Sequence, residues 1–113
     1  MANESDIEIE TFERNLKNDL VGSENPQEGT RLSLADGVFV TYRGARIERG
    51  FLESKEIIEL TVSFGSGVSS GLVANWLFAK LQGRRARLKI HRRETAIDPE
   101  SITRIIEETI SIE

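Results

Sequence analysis

The sequence predicts an α+β fold in a single domain spanning residues 1–113, with a mixed β-sheet covered by one long glycine-started helix and a shorter C-terminal helix. Three observations predict it. Apolar and polar residues alternate in several short runs, most clearly in "IIELTVSF", where Ile58, Leu60, Val62 and Phe64 face away from Glu59, Thr61 and Ser63. Asp36-Gly37 stands between two alternating segments, the signal of a two-residue hairpin turn. A glycine-rich step then leads into an apolar helical segment, and alternation resumes after it.

Taken in order, "DIEIETF" sets Ile7 and Ile9 against Glu8 and Glu10, as in a half-buried strand. Phe12, Leu16 and Leu20 follow at helical spacing and predict a short helix. Gly22, Pro26 and Gly29 punctuate a loop with little to bury. Residues 1–5 and 21–30 are therefore expected to be flexible. Leu32, Leu34, Val38, Val40 and Tyr42 form the hairpin around Asp36-Gly37, and "IIELTVSF" is the next strand. The long helix is predicted from Val68 to about Gln82, with Ser66 or Gly67 at its start and Gly83 as its stop. "ARLKIHR" returns to alternation, which makes a strand–helix–strand unit. Asp98 caps a last helix through Ile102, Ile105 and Ile106, with Pro99 in its first turn. "TISIE" is expected to end as a short strand or to fray.

Composition narrows the function classes. The 113 residues are 38% hydrophobic and 30% charged, polar overall but with the apolar residues gathered into periodic segments that a core can use. The absence of cysteine excludes disulfides, thiolate catalysis and cysteine-ligated metals, and is compatible with the cytoplasm, where the chain is expected to reside. The stretch from Val68 to Leu81 is polar-interrupted and shorter than the roughly 20 residues that cross a bilayer, so no membrane span is expected. The acidic N-terminal segment lacks the basic start of a secretory signal. A formal net charge of −4 argues against general attraction to nucleic acid or anionic lipid.

Two local features remain as candidate sites. The turn Gly65-Ser66-Gly67 has the strand and helix context of a phosphate-cradling loop. However, Gly71 falls one place late for a dinucleotide fingerprint, and no Lys-Ser or Lys-Thr follows for a Walker-type loop. A tight strand-to-helix turn explains these glycines better, with weak anion binding at the helix start as the alternative. Secondly, six of the 15 lysines and arginines, Arg84, Arg85, Arg87, Lys89, Arg92 and Arg93, lie within ten residues. They either meet an acidic partner or phosphates, or form the solvated face of a strand beside Glu8 and Glu10.

The predicted helix is apolar on nearly all sides, so either other elements cover it or another subunit does, with Trp76 or Phe78 at the contact. Catalysis has little support: His91 is the only histidine, it sits among cations, and no nucleophile, base and orienting group can be assembled by spacing. No metal-ligand spacing and no cofactor motif is found, and the chain is not expected to be an enzyme.

The segment from Ile57 to Ile106 resembles the effector-associated constant component family of bacterial conflict systems. The likeness lies in a strand followed by Gly65-Ser66-Gly67, a helix with Trp76-Leu77, an arginine-rich exit (Arg84, Arg85, Arg87), an alternating strand, and Asp98-Pro99-Glu100 opening the last helix. The resemblance implies a non-catalytic adaptor that couples effector or signalling modules. The sequence therefore points to a protein-interaction domain that binds a protein partner through the basic stripe and forms homo-oligomers through Trp76 and Phe78. The alternative is a nucleic-acid or anionic-ligand binder that uses the same arginines.

Overall fold

In a computed structural model of the chain, which describes residues 3–35, 37–64 and 70–112, six strands form one sheet and three helices accompany it. In chain order the elements are β1 (Asn3–Thr11), α1 (Leu16–Val21), β2 (Arg31–Ala35), β3 (Val38–Arg49), β4 (Ser54–Phe64), α2 (Ser70–Leu81), β5 (Ala86–Ile90), β6 (Arg93–Thr95) and α3 (Pro99–Ile112). The α+β class is as predicted.

The sheet is antiparallel throughout, in the order β2-β3-β4-β1-β5-β6, and not mixed as expected. The strand–helix–strand unit does exist: β4 and β5 run the same way with α2 between them. The first strand is inserted between the two and is antiparallel to both, with Ile7 opposite Leu60 on one side and Ile90 on the other. Local alternation carries no information about such an insertion. β1 also takes up residues 3–5, within the segment expected to be flexible.

Among the described residues α2 covers 12 residues and α3 covers 14, so both are short and neither stands out as one long helix. "TISIE" does not turn into a strand, because the helix runs on to Ile112. Asp98 caps α3 as predicted, with Ser101 N–H donating to Oδ1 at 2.8 Å and Ser101 Oγ to Oδ2 at 2.9 Å. These two bonds hold its carboxyl below the ordinary carboxylate range, the backbone bond having the larger effect. The expected start of α2, from Gly65 to Ser69, lies outside the described residues. Gly83, just past the helix, takes φ 74°, the left-handed conformation that ends helices.

Alternation sorts each strand between two faces. Ile7 and Ile9, Val38, Val40 and Tyr42, Ile58, Leu60 and Val62, and Leu88 and Ile90 all point to one side. There they pack with Leu16 and Leu20 of α1, Val73, Leu77 and Leu81 of α2, and Ile102 and Ile106 of α3. Truncating a fully buried member such as Leu77 to Ala would cost about 2–5 kcal/mol. The other face carries the charges, the usual pattern of an antiparallel sheet with one face on the core.

Candidate interaction site

The longest strands reach beyond the core. β2 pairs with β3 only up to Thr41, so the outer edge of β3 is unpaired from Gly44 onward, and β1 meets β4 only from Glu56 onward, so Glu48–Lys55 project as a two-stranded arm. A bulge at Arg43 lies where the cover by β2 ends. At its tip the Gly50 N–H donates to the Glu53 carbonyl at 2.8 Å and closes a two-residue turn of Phe51 and Leu52. A Cβ on Gly50 would stand 2.8 Å from that same oxygen, so glycine is required there.

Hairpin tips are ordinarily polar, yet Phe51 is 100% exposed and Leu52 88%. Ile47, at the base of the arm, is 59% exposed. Beside the arm, a concavity of about 740 Å³ is lined by Phe12, Lys17, Ile47, Arg49, Glu56 and Arg85, among others. Phe12 carries the Arg85 guanidinium 4.8 Å above its ring. Lys17 closes the base of the arm by an ion pair to the nearly buried Glu56 at 3.2 Å.

Most of the basic stripe stands beside carboxylates. Arg84 pairs with Asp19 at 2.7 Å and with Glu13 at 3.6 Å, and Arg85 pairs with Glu53 at 3.2 Å. Lys89 and Arg87 stand opposite Glu8 and Glu10 on β1, the solvated-face arrangement weighed from the sequence. Arg87 also lies 3.8 Å from Glu94, and Arg93 lies 2.7 Å from Glu108 of α3. Among the described residues only Arg92 of the six has no acidic partner. The stripe is thus split between the arm side, the open face and the α3 side.

On the open face, Glu10 is hydrogen-bonded by Lys55, which holds its carboxyl below the ordinary range against the opposing effect of burial. A second concavity, about 480 Å³, is lined there by Asp6, Glu8, Arg43, Glu59, Lys89, His91 and Arg92 together with Ile7, Leu60 and Thr61. Its three firm cations face three carboxylates, so its charge selects neither sign of ligand. His91 and Arg92 form the β5–β6 turn with φ 50° and 67°, the left-handed pair that such turns require and that Asn-Gly adopts more readily.

Trp76 packs against the core cluster and Phe78 is half-buried, while Leu72, at 39%, is the more exposed apolar residue of α2. Much of the helix's all-round apolarity therefore faces neighbouring elements. The turn Gly65-Ser66-Gly67 lies outside the described residues. Ile47, Phe51 and Leu52 were missed by sequence reasoning, although "GFLE" does place adjacent large apolar residues after a glycine between two strands.

Fold and site together define a small α+β domain with a projecting, apolar-tipped β-arm. Comparison with protein-family models, with curated proteins and with solved structures finds no match.

Proposed function

We propose that this chain is a non-catalytic protein–protein interaction domain, an adaptor, and that the β3–β4 arm is its principal contact surface. The observation that carries this reading is the exposure of Phe51 and Leu52 at the end of a hairpin beside which no further strand of the described residues pairs. Large apolar side chains held rigidly in water are the usual anchors of an interface. The arginines at the base, Arg84 and Arg85, would contribute to an acidic partner's approach by steering more than by affinity, since each already has an acid beside it. A place among bacterial conflict or signalling modules in the cytoplasm rests on the sequence resemblance alone.

The competing nucleic-acid reading is weakened by the same ion pairs. Freeing Arg84, Arg85, Arg87, Lys89 or Arg93 for phosphates means breaking a contact with Asp19, Glu53, Glu94, Glu8 or Glu108.

The test is photo-cross-linking in the native host with a benzophenone amino acid at position 51, followed by mass spectrometry. A different protein captured specifically, and lost on Leu52→Ser, is the expected result. Capture of nucleic acid alone, or of nothing beyond the same probe placed at exposed Glu100, would overturn the proposal.

A further inference from the structure

The outer edge of β3 beyond Arg43 has the pattern of a self-complementary strand. We propose that β3 pairs edge to edge with β3 of a second copy of this chain, antiparallel and centred on Ile47. This rests on the interaction reading above and names one of its partners.

The backbone supplies the first argument. Tyr42 directs both its N–H and its carbonyl outward, to Thr30 and from Gly29, while Gly50 at the tip directs its N–H inward to Glu53. With one residue inserted by the bulge at Arg43, alternation from either end gives the same result: Ala45, Ile47 and Arg49 direct their backbone groups outward. No strand of the described residues lies on that side. Such an edge is a template for strand addition.

Charge supplies the second argument and fixes the register. Centring on Ile47 sets Arg46 opposite Glu48 of the other copy, twice by symmetry, and Ile47 opposite itself. It also places Gly44 opposite Gly50, where neither has a side chain to obstruct the approach. A slip to a centre on Arg46 brings arginine against arginine, and a slip to Glu48 brings glutamate against glutamate. Arg46 retains a donor for this contact, because Nη1 and Nη2 are held by Glu59 and Glu8 while Nε has only Glu48 at 3.9 Å. In the paired form Phe51 of each copy reaches the level of Arg43 of the other, next to the start of β2.

The experiment uses the purified full chain. Sedimentation equilibrium should give a concentration-dependent mass rising toward twice 12.7 kDa. Ile47→Pro removes an outward N–H that no other group among the described residues uses, so its fold should survive and its mass should be that of the monomer. Glu48→Arg, which opposes like charges twice, should weaken association by roughly tenfold or more. As the native chain has no cysteine, Ile47→Cys should cross-link to itself on oxidation and Phe51→Cys should not. The cysteine pair still reports the register if the proline variant fails to fold. A native chain that stays monomeric at millimolar concentration overturns the proposal, as does a dimer indifferent to Ile47→Pro or one cross-linked by Phe51→Cys instead. Capture of a different protein at position 51 in the host would survive either failure, so the two readings fail separately.

Discussion

Glu8 and Glu59 stand directly opposite each other across the β1–β4 pair, two like charges where a sheet ordinarily avoids them, and Arg46 spans both, at 3.3 Å and 2.6 Å. The arm is thereby tied to the open face of the sheet. Arg46→Ala should lower the Tm, leaving Glu59 without its ion pair and Glu8 with only Lys89 at 3.9 Å, and Glu59→Gln added to it should recover part of the loss. Arg46→Lys should recover less than full stability, because an ammonium lacks the fork that reaches two acceptors. The deficit should shrink in high salt, as expected for half-exposed charges. A thermal double-mutant cycle at two salt concentrations measures all of this.

Acid should destabilise the fold through Glu10 and Asp98. Both carboxyls sit below the ordinary range when folded, the first through its bond from Lys55 and the second through its cap to Ser101. Their contribution is fully present above the unfolded carboxylate values and is lost as pH falls through the folded ones. Glu10→Gln and Asp98→Asn should each flatten the acid limb of a Tm-against-pH curve and leave its slope near neutrality unchanged.

The β5–β6 turn should be improvable. His91 and Arg92 hold left-handed backbone that costs a residue with a side chain about 1–2 kcal/mol. Replacing His91-Arg92 by Asn-Gly should raise stability by about 1 kcal/mol in a urea titration. No gain, or a loss, would mean that the two side chains contribute contacts on the open face that outweigh the strain.

The arm tip should separate stability from binding. Phe51→Ser removes a side chain that touches nothing, so its melt should match the native chain's while partner capture falls. Gly50→Ala forces a Cβ against the Glu53 carbonyl, and hydrogen exchange should show faster amides along Glu48–Lys55 with the core strands unchanged.

What the sequence made legible was local. Alternation identified β1, β4 and β5, the Asp36-Gly37 step marked the hairpin, and Asp98 announced its own helix, because each depends on neighbours in the chain. Even the pairing of Arg87 and Lys89 with Glu10 and Glu8 could be weighed from charge alone. The arm could not. "RIERGFLESK" reads as polar loop or strand end, and only the lengths of β1 and β2 leave it uncovered. Trp76 was similarly ambiguous, since an apolar stripe does not say whether its cover comes from the same chain. The order of the sheet was hidden for the same reason: insertion of β1 is a relation between residues far apart in the chain, from Thr11 with Glu56 to Ile7 with Ile90.

That insertion makes the first strand a keystone. Pairing of β1 joins residues as far apart as Asn3 and Phe64, and then Ile7 and Ile90. On the ribosome, β2, β3 and β4 can zip into a meander as they emerge, whereas β5 has no seat until β1 has docked along β4. Without residues 3–11, the two halves, β2-β3-β4 and β5-β6, share no edge at all. Seating β1 in the middle of the sheet therefore closes the longest loops of the fold, and it is this docking that should weigh most on the folding rate.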